Sequence, residues 1–319
     1  MTPDPEKCGL AARDYQRFRN RLILAPMVRT GSLPLRLLSL EYGADLVYSP
    51  EMVDKRLAEC TRRVDEKTGC IYYERNGHDS LITHPVEKSR LTLQLGTADP
   101  ETALQAALVA RQDISAVDVN CGCPQRFSLQ GGMGAALLQD PDRLVKILRT
   151  LVEGLDIPVT CKIRLLPEQS KTLELCRRLA DTGISALGVH CRTRDERPRH
   201  PAHWDRFQEI AQAVHPLPVI LNGDVLLPED VSRAQEATGA TSIMIARGAQ
   251  QNPSIFRVNH DPTAGLLPEL EVIRAFILQC LVLGNRFANT KYILMQMYQQ
   301  TKSDTFVRLQ RAKTHEQLW

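Results

Sequence analysis

Short apolar segments recur at regular intervals along the first 250 residues of the chain. Each is rich in Val, Ile and Leu, and each is bounded by glycine, proline or a polar residue. Uninterrupted apolar runs of this length are typical of strands that are buried on both faces of a parallel sheet. The eight segments are residues 22–27, 44–50, 91–96, 116–122, 159–164, 186–191, 218–223 and 242–247.

Helical patterns lie between these predicted strands. Residues 99–112 and 140–154 both begin with an Asp-Pro step, in which aspartate caps the helix and proline occupies its first position. Gly154 is expected just past the end of the second helix, and residues 170–183 and 228–239 also end on glycine. Strand and helix therefore alternate, which predicts an α/β fold.

Eight strand–helix units over roughly 230 residues are the number and size of a (β/α)₈ TIM barrel, which we place at residues 21–256. A doubly wound sheet is the alternative, but it normally carries a glycine-rich phosphate fingerprint after its first strand. Here the first strand ends in Ala25-Pro26-Met27. The sequence therefore favours the barrel.

Segments outside the eight units complete the predicted organisation. Residues 1–20 form an N-terminal extension, residues 252–269 are a linker rich in Pro and Gly, and residues 265–319 form a small C-terminal helical domain. Two connections within the barrel, 51–90 and 123–158, are longer than a helix requires, which is typical of functional insertions.

The amino-acid composition excludes several classes of protein. The chain of 319 residues is 43% hydrophobic and 24% charged, has a net charge of +3, and contains no apolar run long enough for a membrane span. Its first residues lack a signal-peptide core. Nine cysteines without a C-x-x-C pair argue against a disulfide framework and a zinc site. We expect a monomeric cytoplasmic protein without a metal; a nuclear or mitochondrial share stays open.

Polar residues follow nearly every predicted strand. In a TIM barrel the active site lies at the carboxyl ends of the strands, so these residues predict a binding or catalytic mouth. They are Pro26-Met27, Glu51, Gln94, Asn120 with Cys123, Lys162 with Arg164, His190 with Arg192, Asn222-Gly223-Asp224, and Arg247-Gly248.

Several of these residues point to an anionic heterocyclic ligand. Lys162 and Arg164 alternate along one strand and face the same side, and a confined cation requires an anion. Asn222-Gly223 and Arg247-Gly248 follow strands seven and eight, where many barrels bind phosphate. Gln94 suits the amide edge of a heterocycle, although a satisfied core amide is an equal alternative.

A cysteine is the candidate for proton chemistry. Cys123 stands in N-C-G-C-P, where glycine allows a sharp turn and proline stiffens it, whereas Cys121 is closer to the strand and is expected to pack in the core. Residues 131–138 are either a mobile lid or the start of the next helix. The arginine-rich segment 190–204 is either a solvated loop with internal salt bridges or a surface for a polyanionic substrate.

The segments LAPMVRTGSLPLRLLSLEYGADLVYSPEMVD, LQLGT, DVNCGCPQRFSLQGGMGAALL, CKIRLL, VHCRTRDERP, PVILNGDV and IARGAQQNP together resemble the tRNA-dihydrouridine synthases. The resemblance is strongest to the eukaryotic branch that acts on uridine 20 of the tRNA D-loop, and it covers residues 21–300. It departs from the family pattern in having a second thiol, Cys121, two residues before the Cys-Pro position.

The resemblance implies an FMN-binding barrel, a helical tRNA-binding domain, and reduction of uridine by FMN that NADPH has reduced. It implies that Cys123 is the general acid, that Asn120 orients the flipped base, and that Arg164 and Arg192 engage the substrate or position the flavin and the base. The FMN-binding residues implied are Pro26, Met27, Val28, Gln94, Lys162, His190, Asn222, Gly223, Asp224, Ala246 and Arg247.

Two other functions remain open at this point. One is a flavin-dependent reductase of a small pyrimidine or another unsaturated substrate, against which the basic segments 190–204 and 291–313 argue. The other is a non-catalytic RNA-binding barrel, against which the complete set of polar residues at the strand ends argues. The sequence does not decide which uridine is reduced, or whether NADPH or NADH is the reductant.

Overall fold

The computed structural model describes residues 14–298, 300 and 302–318. The strands are β1 (Leu22–Leu24), β2 (Leu46–Tyr48), β3 (Met52–Val53), β4 (Thr61–Val64), β5 (Ile71–Arg75), β6 (His78–Thr83), β7 (Leu91–Gly96), β8 (Ala116–Cys121), β9 (Val159–Leu165), β10 (Ala186–Thr193), β11 (Val219–Asn222) and β12 (Ser242–Ile245). The α-helices are α1 (Leu33–Glu41), α2 (Asp54–Leu57), α3 (Pro100–Ala110), α4 (Arg126–Gln130), α5 (Pro141–Gly154), α6 (Gln169–Ala180), α7 (Phe207–Ala213), α8 (Glu229–Thr238), α9 (Arg247–Gln251), α10 (Glu269–Val282), α11 (Phe287–Met297) and α12 (Asp304–Arg311).

Eight parallel strands close into a barrel. The order around it is β2-β1-β12-β11-β10-β9-β8-β7, and the ring closes where β2 pairs with β7 through Val47 opposite Leu91 and Tyr48 opposite Thr92. Each of these strands overlaps one predicted apolar segment. The predicted (β/α)₈ barrel followed by C-terminal helices is thus confirmed.

The helix ends follow the predicted capping chemistry at three of five sites; the exceptions are Gly154 and Gly183, and Gly183 lies three residues beyond Ala180, the last residue of α6. The side chains of Asp99 and Asp140 accept hydrogen bonds from backbone N–H groups three residues on, at 2.9 and 3.2 Å. Gly239 ends α8 with a left-handed φ of 69°. The prediction for Gly154 is wrong, because it is the last residue of α5. A Cβ there would lie 2.7 Å from Leu104, so this glycine allows close helix packing.

The long connection 51–90 contains structure that the sequence did not reveal. After β3 and α2, strands β4, β5 and β6 form a separate antiparallel sheet. A buried ion pair anchors the connection to the barrel, because the Arg36 guanidinium on α1 donates to both carboxylate oxygens of Glu87 at 2.6 and 2.8 Å. Its geometry is bidentate, which gives it directional specificity.

The described part of the predicted N-terminal extension covers the lower end of the barrel. A 3₁₀ helix spans Gln16–Phe18, and the Phe18 ring is fully buried with Ile23, Tyr48 and Met244 inside the barrel. Residues 1–13, which include Cys8, lie outside the described residues. Phe18 of this segment is therefore part of the barrel's core.

The predicted linker is only partly irregular. Pro253–Asn259 form a 3₁₀ helix whose Ile255 and Phe256 side chains are fully buried, so the linker prediction is wrong for this stretch. Beyond it, α10, α11 and α12 build an apolar core that also contains Leu35 and Leu38 of α1. Within the described residues, no helix has the length and apolarity that crossing a membrane requires.

Candidate active site

A buried polar layer lies inside the barrel, directly below its mouth. Strand register places Gln94 opposite Asp118 and Asp118 opposite Thr160. The Asp118 carboxylate accepts hydrogen bonds from the Gln94 Nε2 at 2.8 Å and from the Thr160 hydroxyl at 2.6 Å. Burial raises the pKa of Asp118 to about 6, and the two hydrogen bonds limit the rise. Gln94 is thus oriented by a partner that accepts from its amide nitrogen.

Lys162 occupies the next layer up. It lies opposite Asn120 on β8 and Gly188 on β10, and a Cβ at position 188 would stand 3.2 Å from the lysine Cγ. Burial, followed by the neighbouring Arg164, lowers the pKa of Lys162 to about 8. Lys162 forms no ion pair with any residue in the described ranges. A half-buried, unpaired cation of this kind is suited to an anionic or polarised ligand atom.

His190 and Arg164 lie side by side at the mouth, in register on β10 and β9. Burial lowers the pKa of His190, and the surrounding cations, Lys162 first, lower it further, so the imidazole is neutral at pH 7. Arg164 donates to the carbonyls of Gly122 at 2.8 Å and Thr193 at 3.0 Å. These two hydrogen bonds fix the loops that follow β8 and β10.

A cavity of about 210 Å³ opens where β10, β11 and β12 end. Arg192 donates to the Asp224 carboxylate, and Arg247 donates to the same oxygen at 2.7 Å. Burial alone would raise the pKa of Asp224, but the hydrogen bond from Arg192 and the cationic charges lower it overall. Two arginines and the nearby glycine backbone make this cavity suitable for an anion such as phosphate.

Asp224 and its neighbours hold this cavity in shape. A carboxylate repels phosphate, so the geometry favours Asp224 as the group that positions Arg192 and Arg247. Gly223 has a φ of 134°, which favours glycine, and a Cβ there would lie 3.0 Å from Ala202. Asn222 donates from Nδ2 to the Met244 carbonyl at 2.8 Å. The cavity is lined by Arg164, His190, Arg192, Glu196, Arg197, Pro198, Asn222, Gly223, Asp224, Val225, Leu226, Met244, Ala246 and Arg247.

The Cys123 loop is held by a neighbouring amide. The Asn120 Oδ1 accepts hydrogen bonds from the backbone N–H of Gly122 at 2.9 Å and of Cys123 at 3.0 Å. Burial, more than any other effect, raises the pKa of the half-buried Cys123 thiol, and Glu51 raises it further. Cys121 is fully buried, and burial raises its pKa well above the ordinary value. Of the two thiols, only Cys123 reaches the mouth.

The glycine-rich segment lies beneath this loop. Gly134–Gln139 form a 3₁₀ helix that precedes α5, so the alternative that this segment starts the next helix is wrong. Gly134 has a φ of 59°, and a Cβ there would lie 2.6 Å from the Cys123 carbonyl oxygen. Glycine is therefore needed for the close approach to Cys123.

Glu51 belongs to the site, although the sequence analysis assigned no role to it. Its Oε1 accepts from the Ser128 hydroxyl at 3.1 Å, and a Cβ on Gly96 would lie 2.4 Å from that oxygen. Burial raises the pKa of Glu51, while Ser128, Cys123 and Asn120 counter the rise. The one available sequence signal was its position just after the second barrel strand.

The loop after β1 lies in a different part of the mouth. Pro26 and Met27 are half-buried, and Val28 is 58% exposed. Val28 lines a groove of about 550 Å³ between this loop, the β4–β6 sheet and α11, whereas Ala246 and Arg247 line the anion cavity. Glu51 also lines this groove. Val28, one of the predicted FMN-binding residues, therefore lines the groove and not the anion cavity.

The basic side chains of segments 190–204 and 291–313 contact different parts of the structure. In 190–204, His203 contacts Glu196 at 2.7 Å and Arg197 donates to the Arg194 carbonyl at 3.1 Å, which are internal contacts of the loop. Arg199 is exposed. In 291–313, Lys291 donates to the carbonyls of residues 310 and 312 at 2.6 and 2.9 Å, so it caps the end of α12.

The chain matches the model of one protein family, described as dihydrouridine synthase, over residues 23–316. It is 41% identical over 313 residues to the tRNA-dihydrouridine(20) synthase [NAD(P)+] of Schizosaccharomyces pombe, covering 94% of this chain and 64% of that protein. It is 36% identical to the tRNA-dihydrouridine(20) synthase [NAD(P)+] of Saccharomyces cerevisiae, covering 94% of this chain and 83% of that protein.

Solved structures support the fold alone. A 2-naphthoyl-CoA reductase in complex with 2-naphthoyl-CoA superposes with a TM-score of 0.53 at 12% identity, over 75% of this chain and 49% of the other. The family model spans the barrel, the Cys123 loop and the C-terminal helices. The chain therefore belongs to the dihydrouridine synthase family.

Proposed function

We propose that the protein is an FMN-dependent tRNA-dihydrouridine synthase that uses NADPH as its reductant. One observation carries the proposal: the Cys123 thiol stands at the barrel mouth with Lys162 and Arg164, next to an anion cavity. The names of the two yeast relatives support the same reaction. Because the chain spans 64% of the fission yeast protein, activity, substrate and partners are parts of this proposal.

The residues fit FMN. The Arg192–Asp224–Arg247 cluster with Gly223 would hold its phosphate, and Lys162 and the carbonyl oxygen of Gln94 would meet the polar edge of the ring. His190, neutral and half-buried, would lie against the flavin. When bound, the flavin supplies hydride chemistry that amino-acid side chains lack.

The chain's own residues handle the substrate base and the proton. Reduction of the 5,6 double bond of uridine adds a hydride at carbon 6 and a proton at carbon 5. Cys123 would donate that proton, and its raised pKa keeps it a thiol at pH 7. Asn120 holds the Cys123 loop through Oδ1, and its amide NH₂, which also faces the Glu51 carboxyl group, would donate to the base.

A tRNA substrate agrees with the charge of the surface. The base must leave the RNA stack to enter the barrel, which costs a few kcal/mol, on the order of the energy of several phosphate contacts. Exposed arginines and lysines of α12 and its flanks, together with Arg199, would supply those contacts. Position 20 of the D-loop, a monomeric state and a cytoplasmic location complete the proposal.

The visible absorption spectrum of the purified protein tests this proposal. We expect a flavin band that NADPH bleaches anaerobically and that unmodified tRNA restores, whereas free uracil does not. Restoration by a free pyrimidine would instead indicate a small-substrate reductase. Absence of bound flavin after reconstitution with FMN would leave a non-catalytic RNA-binding barrel.

A further inference from the structure

Glu51 lies against the proposed proton donor and has a free carboxylate oxygen. Its Oε1 accepts from Ser128 at 3.1 Å. Its Oε2 is buried and has no hydrogen-bond partner among the described residues, while the Cys123 thiol and the Asn120 side chain interact with the carboxyl group. A thiol and a half-satisfied carboxyl group therefore share one pocket.

The backbone is shaped to hold this pair together. A Cβ on Gly96 would overlap Glu51 Oε1 at 2.4 Å, and a Cβ on Gly134 would lie 3.0 Å from the Cys123 Cβ and 3.1 Å from the Ser128 hydroxyl. Glycines on two separate elements thus leave room for the carboxyl group and for the thiol loop.

The carboxyl group also connects the thiol to solvent. Glu51 lines the groove of about 550 Å³ that is open between the β1 loop, the β4–β6 sheet and α11. Besides Glu51, the charged side chains that line the groove are Arg29, Arg36, Arg56, Asp79 and Arg286, and Arg36 is paired with Glu87. A proton taken from water in the groove can reach Glu51 without crossing the substrate position.

We propose that Glu51 keeps the Cys123 thiol protonated and returns a proton to it after each turnover. This inference rests on the proposed function and deepens it. When Cys123 gives its proton to carbon 5 of the uracil, its sulfur becomes a thiolate; the Glu51 carboxylate then takes up one proton from solvent through the groove and passes it to that sulfur, so that an ionised Glu51 again stands beside a thiol. The transfer is downhill because a carboxyl group is a stronger acid than a thiol.

Other charges around the thiol act in the opposite direction. Lys162 and Arg164 face Cys123 from β9 and favour the thiolate, since each interacts with the Cys123 charge. Cys121 lies below, fully buried and uncharged. Without an acid beside it, the thiolate left by turnover would be stabilised by these cations. Glu51 counters them as a positioning residue that acts through Cys123.

The pH dependence of Cys123 alkylation by iodoacetamide tests the inference without flavin or tRNA. In Glu51→Gln the neighbouring negative charge is lost, so the thiol should ionise at lower pH, and we expect alkylation near pH 8 to be about tenfold faster, one unit of thiol pKa. Mass spectrometry of the 112–126 peptide separates Cys123 from the buried Cys121. Glu59→Gln is the matched control, because Glu59 is 56% exposed and pairs with Arg75.

Turnover gives the second readout. With protein reduced beforehand, Glu51→Gln should complete the first turnover on tRNA at the wild-type rate and slow down in later turnovers. An alkylation profile identical to that of wild type, or an equal loss in first and later turnovers, would overturn the inference. If Glu51→Gln fails to fold, Glu51→Asp is the second variant, because it keeps the negative charge but moves it one methylene away from the thiol. Its pH profile of Cys123 alkylation should lie between the wild-type profile and the profile expected for Glu51→Gln.

The two proposals fail separately. A protein that does not reduce tRNA but shows the alkylation shift would contradict the proposed function and leave the Glu51–Cys123 pair intact. A protein that reduces tRNA with an unshifted profile would do the reverse.

Discussion

The carboxylate of Asp118 accepts a hydrogen bond from the side-chain amide of Gln94 at 2.8 Å, one layer below the barrel mouth. An ionised carboxylate only accepts, so this contact fixes which end of the Gln94 amide points down. The carbonyl oxygen of Gln94 is thereby left for a ligand above. Asp118, which lies below the ligand position, thus determines that Gln94 directs its side-chain carbonyl oxygen toward the ligand.

We expect Asp118→Asn to flatten the pH dependence of stability between pH 4 and 7. Burial raises the folded-state pKa of Asp118 from 3.8 to about 6, so its protonated form is favoured in the folded protein. The contribution of Asp118 to the free energy of unfolding is fully present below its pKa in the unfolded chain and is lost as the pH rises through its pKa in the folded protein. This contribution amounts to roughly 3 kcal/mol. Urea unfolding across this range measures it. The 91%-exposed Asp142, changed to Asn, is the control, and parallel wild-type and Asp118→Asn profiles would contradict the prediction.

We expect Cys123→Ala to lose dihydrouridine formation while keeping tRNA binding, and Cys121→Ala to keep both. Only the Cys123 thiol reaches the mouth, since Cys121 is completely buried. Loss of a positioned general acid lowers the rate by roughly 10²- to 10⁴-fold. Nucleoside mass spectrometry of treated tRNA measures the product. Equal losses in the two variants would mean that the thiols are not distinguished by their positions.

We expect Arg247→Ala to weaken FMN binding by about 10- to 100-fold, the usual effect of removing one charged hydrogen bond to phosphate. Arg247 lines the anion cavity and shares Asp224 with Arg192. Quenching of flavin fluorescence gives the dissociation constant. Arg199→Ala removes the same charge from an exposed position of the neighbouring loop and should leave the constant unchanged. Identical constants for the two variants would place the phosphate elsewhere.

We expect the double change Arg308→Gln and Arg311→Gln to make tRNA binding less dependent on salt. The slope of the logarithm of the binding constant against the logarithm of the salt concentration should fall by the amount that corresponds to about two phosphate contacts. Both side chains are exposed on α12. Lys291→Ala offers the contrast, because Lys291 is bonded to carbonyls at the end of α12. It should lower the melting temperature and leave the salt slope unchanged. Fluorescence anisotropy at several salt concentrations measures the slope, and a change in slope for Lys291→Ala alone would reverse these assignments.

The barrel was predictable because its strands are buried on both faces. Such strands read as continuous apolar segments, and residues after them, such as Lys162 and His190, can be assigned to the mouth by their position alone. The sheet β4–β6 was not predictable in this way. All four residues of β4 are exposed, so the strand lacks an apolar pattern.

The roles of single residues depended on partners that the sequence does not bring together. Glu51 meets Ser128 across 77 positions, and Lys291 meets the end of α12 across about 20. Asp118 read as part of an apolar run, although it carries the hydrogen bonds that orient Gln94. Spacing predicts which face a side chain takes, whereas its contact with a distant loop depends on tertiary packing.

The apolar core shared by α1 and the C-terminal helices has a thermodynamic consequence. Leu35 and Leu38 of the barrel helix α1 are fully buried in the same cluster as Phe276 of α10 and Leu294 of α11. Swinging the helices away would expose these side chains, at a cost of about 1.5–3 kcal/mol for each. The two parts should therefore melt in a single calorimetric transition, and the distance from the helices to the barrel mouth is a fixed dimension of the molecule.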